Sequence, residues 1–175
     1  NNHPHEGKRY ILVHNGHFSH LPAVKGYKYN GNCDSELALS YVETWGVEKA
    51  IELMSKQDGF SLVIYDKQEK ETYFYRETNP MVYSYDMSTG SFVFGSTYGI
   101  VQEFGCELGK YGLVLPMVLI PYNTVENYLY KLTQGVGLEK VRKIELRLGD
   151  HAIKALPEEI TSQMVLDDFF EVIPY

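Results

Sequence analysis

The stretch RYILVHNG, residues 9–16, decides how the fold begins. Its run of apolar, aromatic and β-branched residues favours a strand, and Asn15-Gly16 is a dipeptide that favours positive φ. We therefore predict a strand over residues 9–14 that stops at a sharp turn at Asn15 and Gly16. A side-chain amide and an unhindered glycine N–H at such a point can both face one spot, as an oxyanion hole requires. Taken alone, however, this dipeptide is more typical of an ordinary tight turn.

A pair of helices is predicted next. Residues 17–33 contain Pro22, two glycines and two asparagines, which are typical of a loop, and they lead to Asp34 or Ser35 as a cap for a helix. Apolar residues then recur at helical spacing and are interrupted by Gly46. This pattern predicts two consecutive helices.

The middle of the chain predicts two hairpins, and the rest predicts further strands. FSLVIYD (60–66) with TYFYRE (72–77), and VYSYD (82–86) with SFVFGS (91–96), have the alternation typical of paired strands. We also predict a short helix over 98–104 and strands over 113–121, 128–132 and 141–148. This order predicts an α+β fold with a largely antiparallel sheet that is covered on both faces.

Length and charge limit the classes of function. The 175 residues fit one domain, which we place at residues 1–156, followed by an acidic tail at 157–175 that docks or contacts a partner. The formal net charge of -7 disfavours a nucleic-acid partner. No apolar run reaches the roughly 18 to 20 residues of a membrane span. Two cysteines and no signal peptide favour a cytoplasmic location, and no cofactor is expected.

Several motifs together resemble the glutaminase domains of class II glutamine amidotransferases. They are NNHPH (1–5), the strand ending HNG (14–16) and the helix start CDSE (33–36), and the similarity continues to about residue 105. The resemblance implies the N-terminal nucleophile hydrolase fold, an αββα sandwich of two antiparallel sheets between helical layers. It also implies that an N-terminal cysteine attacks the side-chain amide of glutamine and that the ammonia released passes to an acceptor.

The resemblance also assigns site residues. Asn15 and the backbone N–H of Gly16 match the oxyanion hole of the family, and Asp34 matches the carboxylate that binds the α-ammonium group of glutamine. His3 matches a histidine close to the substrate pocket. For Asp34 the plain alternative is an ordinary helix N-cap.

The nucleophile is expected upstream of residue 1. In the family, the cysteine and a carboxylate-binding arginine precede the N-x-H-P-H motif, and Cys33 and Cys106 carry no free α-amino group. We interpret Cys33 as a packed small residue. The acceptor site is expected in a separate domain or subunit. The alternative is a catalytically inactive domain of the same fold that serves as a structural or binding module.

Five of the six histidines lie within the first twenty residues, which raises the hypothesis of a metal site; they are His3, His5, His14, His17 and His20. Strand alternation places His14 and His17 on opposite sides, and no cysteine or glutamate completes a familiar zinc spacing. We therefore predict hydrogen-bonded or solvated histidines and no metal site.

Overall fold

The computed structural model describes residues 3–55, 59–86, 91–110, 122–133 and 136–145. Within these ranges the chain is a mixed α+β protein with a large antiparallel sheet. The elements, in chain order, are β1 (His5–Glu6), β2 (Tyr10–Gly16), α1 (Asp34–Trp45), α2 (Val47–Met54), β3 (Phe60–Asp66), β4 (Glu71–Arg76), β5 (Val82–Asp86), β6 (Ser91–Gly95), α3 (Tyr98–Lys110), β7 (Tyr122–Asn123), β8 (Tyr128–Thr133) and β9 (Gly137–Lys143).

The larger sheet has the strand order β1-β2-β3-β4-β8-β9, and each neighbouring pair is antiparallel. In the pairing of β2 with β3, Asn15 lies opposite Ser61 and Gly16 lies opposite Phe60. The predicted sharp turn at residues 15 and 16 is therefore wrong. β3 extends far enough to pair with both residues, so they form the end of the strand.

Two helices cover one face of this sheet. Leu12 of β2 packs in one core cluster with residues of α1 and α2 such as Leu39 and Ile51. His14, two residues further along β2, is buried on the same face of the sheet as Leu12. The predicted helix pair is confirmed, since Gly46 separates α1 from α2 with a φ of 75°. The predicted cap is wrong: Cys33 holds the N-cap position and makes no side-chain cap hydrogen bond, so Asp34 is already the first helical residue.

A smaller sheet with the order β6-β5-β7 covers the other face. The rings of Phe92 and Phe94 lie 5.1 and 5.5 Å from the ring of Phe74 on β4, measured between centroids. On the opposite side of β5 and β6, Val101 of α3 packs with Val82 and Val93. The helix pair and the smaller sheet thus lie on opposite faces of the large sheet, and the prediction that both of its faces are covered is confirmed.

The remaining predictions have mixed outcomes. Both hairpins are confirmed, the helix predicted over 98–104 extends to Lys110, and the strand predicted over 128–132 is β8. The start predicted for the last strand at residue 141 is wrong, because β9 begins at Gly137 and pairs with β8 from its first residue. The two-residue strands β1 and β7 were not predicted. The strand at 113–121, the domain boundary at 156 and the tail at 157–175 lie outside the described residues.

None of the helices in the described part of the chain combines the length and apolarity that crossing a membrane requires.

Candidate active site

A cavity of about 210 Å³ lies between the two sheets, at the end of β2. Asn15, Ser61 and Ser96 contribute polar groups to its wall, and most of the other lining side chains are apolar. Pockets for drug-sized ligands enclose about 300 to 1,000 Å³. This cavity therefore suits a smaller molecule, of the size of an amino acid.

Gly16 has a backbone conformation that only glycine adopts readily. Its φ is 145°, and a Cβ atom at this position would lie 2.6 Å from the carbonyl oxygen of Gly59 and 2.8 Å from Cα of Phe60. Both contacts are with backbone atoms at the start of the paired strand, and backbone atoms cannot swing away as a side chain can. The close pairing of β2 with β3 thus requires glycine beside Asn15, and both residues are exposed.

The carboxylate of Asp34 lies against the loop that follows Gly16. Its Oδ2 accepts a hydrogen bond from the backbone N–H of Phe18 at 3.0 Å and lies 3.2 Å from Nδ1 of His17. Its Oδ1 lies 3.6 Å from Sγ of Cys33. Asp34 is not among the described residues that line the cavity. Its carboxylate binds a loop that starts two residues beyond Asn15 instead of capping its own helix.

His14 joins β2 to the start of α1. Its Nδ1 lies 3.0 Å from Oγ of Ser35, its ring stacks on Phe18 at a centroid distance of 4.7 Å, and its Nε2 has no hydrogen-bond partner among the described residues. Burial lowers the pKa of His14 to about 4, against the opposing attraction of Asp34. The imidazole is therefore neutral at pH 7.

Three of the N-terminal histidines lie near one another. The ring of His3, which is exposed, lies 5.0 Å from the ring of His5 and 6.5 Å from the ring of His14. Burial and the neighbouring His3 lower the pKa of His5, whose Nε2 lies 4.0 Å from Sγ of Cys33. Within the described ranges, no three His, Cys, Asp or Glu side chains are arranged to hold a metal ion.

The local geometry therefore links the carboxylate of Asp34 to the loop that directly follows Asn15 and Gly16. Asn15 lines the cavity at the end of β2, Gly16 is exposed beside it, and the carboxylate of Asp34 lies against the next loop. The sequence did not predict the contacts of His17 with Asp34 or of Ser35 with His14. Strand alternation, which puts His14 on the same face as Leu12, was the available signal for the second contact.

The family model described as a glutamine amidotransferase domain matches residues 3–103, which is more than half of the chain. The chain belongs to the glutamine amidotransferase domain family. The matched range contains His3, Asn15, Gly16 and Asp34, and membership of this family implies glutamine as the substrate. None of the curated proteins compared with the chain matches it.

Proposed function

We propose that this glutamine amidotransferase domain, within its full-length protein, carries out the glutaminase half-reaction. It hydrolyses the side-chain amide of glutamine and supplies the ammonia to an acceptor bound in another domain or subunit. The observation that carries this proposal is the position of Asn15 and Gly16 at the end of β2, beside a cavity of amino-acid size. The layer order of the fold supports the further assignment to the N-terminal nucleophile hydrolases.

The nucleophile is a cysteine that the sequence upstream of residue 1 contributes as the first residue of the mature chain. Its sulfur adds to the amide carbon of glutamine, and the electron pair of the C=O bond moves to oxygen. The α-amino group of the same cysteine takes the thiol proton and delivers it to the departing nitrogen. The C–N bond breaks, ammonia leaves, and water then hydrolyses the thioester to glutamate and the free thiol.

Asn15 and the backbone N–H of Gly16 stabilise the negative oxygen of the tetrahedral intermediate. Donors fixed in advance at the place where charge develops lower the barrier more than donors that must reorganise. Gly16 suits this role because its backbone is exposed and the position admits no side chain. The rigid pairing with Phe60 holds the donor in place.

Asp34 binds the α-ammonium group of glutamine, and His3 contributes to substrate binding. The partners of Asp34 support its role, since its carboxylate faces the loop after Gly16 and does not cap its own helix. His17, whose Nδ1 lies 3.2 Å from Oδ2 of Asp34, neighbours the bound amino group in this assignment.

Ammonia release from glutamine by the full-length protein tests the proposal. Asn15→Ala is expected to lower kcat by about a hundredfold or more, as for other oxyanion donors. Asp34→Asn is expected to raise the KM for glutamine with a smaller effect on kcat. Asn32→Ala, at an exposed position of the preceding loop, is the matched control.

Two outcomes would contradict this proposal, the first its mechanism and the second the function itself. An unchanged rate for Asn15→Ala removes the oxyanion hole from the mechanism. A full-length protein that releases no ammonia, and whose mature N-terminus is not cysteine by intact mass, supports the alternative of an inactive structural or binding module.

A further inference from the structure

The turn after β4 donates a hydrogen bond to the end of β2. The side chain of Asn79 lies 64 residues from Asn15 in the sequence, and its Nδ2 donates to the backbone carbonyl oxygen of Asn15 at 3.0 Å. Because a carbonyl oxygen can only accept, the nitrogen of the Asn79 amide must be the atom that faces it. This contact reaches the same peptide unit that supplies the N–H of Gly16.

The carbonyl of Asn15 and the N–H of Gly16 belong to one planar trans peptide and point in opposite directions. A donor that holds the carbonyl therefore also sets the direction of the N–H. A hydrogen bond to the carbonyl further polarises the peptide and makes its N–H a stronger donor. We propose that Asn79 is a positioning residue that orients and polarises the Gly16 N–H of the oxyanion hole. This inference rests on the function proposed above.

The turn that carries Asn79 is itself held in place. The N–H of Glu77 donates to the carbonyl oxygen of Phe60 at 2.8 Å, which continues the pairing of β4 with β3. Thr78 then packs directly over Gly59, where a Cβ atom would collide with its hydroxyl, and Oδ1 of Asn79 lies 3.5 Å from the same point. The absence of a side chain at Gly59 lets the turn approach β3 closely enough for Asn79 to reach Asn15.

The same turn also shapes the cavity, because Pro80 and Met81, which follow Asn79, are part of its wall. The two contributions have different consequences for kinetics. A change in the cavity wall alters the binding of glutamine and of the transition state to the same extent. The loss of the Asn79 hydrogen bond weakens a donor that matters most when the oxyanion forms.

The experiment compares Asn79→Ala and Asn79→Asp with Thr78→Ala in the full-length protein. Asn79→Asp keeps the shape of the side chain and, when ionised, removes the donor. Each Asn79 variant is expected to lower kcat for ammonia release by about three- to tenfold, the rate equivalent of one hydrogen bond, with an unchanged KM for glutamine. Thr78→Ala alters the same turn without removing the donor and is the control.

A transition-state mimic separates positioning from a general structural role. The γ-aldehyde analogue of glutamine adds the cysteine sulfur and places its oxygen in the oxyanion hole, whereas glutamate does not form this adduct. If Asn79 positions the donor, its loss weakens the affinity for the aldehyde by the same factor by which it lowers kcat/KM. The affinity for glutamate is then unchanged. A purely structural role lowers the melting temperature and weakens both ligands, and this result would overturn the inference.

The outcomes also distinguish this inference from the proposed function. If Asn15→Ala abolishes most of the activity while the Asn79 variants match Thr78→Ala, the function stands and the role of Asn79 is rejected. If the wild-type protein releases no ammonia and does not bind the aldehyde, the proposed function fails, and the role of Asn79 fails with it.

Discussion

Replacing His14 by asparagine is expected to change how the free energy of unfolding depends on pH. His14 is 6% exposed and stacks on Phe18, with Nδ1 3.0 Å from Oγ of Ser35. Asparagine places a polar atom at the same distance from the backbone as Nδ1, so it can keep the bond to Ser35, but it does not titrate. The substitution therefore removes the titration while keeping one of the contacts.

The magnitude follows from the shift in pKa. Burial lowers the pKa of His14 from 6.5 to about 4, so between these values the unfolded chain binds a proton that the folded protein excludes. The stability contributed by neutral His14 is fully present above pH 6.5 and is lost as the pH falls towards 4. At about 1.4 kcal/mol per pKa unit, the loss amounts to about 2 kcal/mol between pH 7.5 and pH 5, and about 3 kcal/mol in full.

The measurement is urea unfolding of the chain at several pH values from 7.5 to 4.5, for the wild type and for His14→Asn. The variant is expected to be less stable at pH 7.5, because it leaves a cavity and loses the stacking on Phe18. Its stability should then fall less steeply with acidification, so the gap between the two proteins narrows by about 2 kcal/mol at pH 5. His20→Asn makes the same substitution at an exposed histidine and is the matched control.

Parallel loss of stability in the two proteins would refute this reasoning. It would mean that the imidazole of His14 becomes protonated in the folded state without penalty. NMR titration of the His14 ring gives an independent check, since a midpoint near 6.5 in the folded protein contradicts the burial argument.

Two further predictions concern stability. Gly16→Ala should lower the free energy of unfolding by about 2 to 4 kcal/mol, because a side chain at this position requires a strained positive φ and overlaps backbone atoms. Gly99→Ala in α3, where a Cβ atom meets open space, is the control and should be close to neutral. Thermal melts of both variants measure the difference. Burial disfavours the charge of Asp66, but hydrogen bonds from Arg9 and from two backbone N–H groups outweigh it and lower the pKa of Asp66. Asp66→Asn should therefore cost about 1 to 3 kcal/mol at pH 7, and this difference, measured by urea unfolding, should shrink below about pH 4.

Local patterns in the sequence predicted most of the described elements. Alternating apolar residues identified β2 and both hairpins, because one face of each strand is buried and the period of two is visible over a few residues. The helix pair was predicted from apolar residues that recur at helical spacing, with Gly46 as the break between the two helices. The short strand β1 was not predicted, since two residues are too few to show a period.

For the candidate site, the sequence motifs identify residues but not their backbone roles or their contacts. Asn15, Gly16 and Asp34 stand in recognisable local patterns, and the family match includes all three. The local rules nevertheless misassigned their backbone roles: Asn15-Gly16 is strand rather than turn, and Asp34 is not a cap. In both cases a partner distant in sequence, β3 for Gly16 and the loop at Phe18 for Asp34, overrides the local preference.

The contacts of His14 and Asp34 connect the end of β2, which carries Asn15 and Gly16, to the start of α1, which carries Asp34. The residue before Asn15 lies within hydrogen-bond distance of the residue after Asp34, and Asp34 in turn accepts the N–H of Phe18, two residues beyond Gly16. The donor end and the carboxylate are thus joined on both sides by short, buried or half-buried hydrogen bonds. A shift of α1 along β2 must move both, because breaking one bond leaves a buried polar group unpaired. The position of Asp34 relative to Asn15 and Gly16 is therefore set by the protein before any ligand binds, which suits the proposed recognition of one fixed length of amino acid.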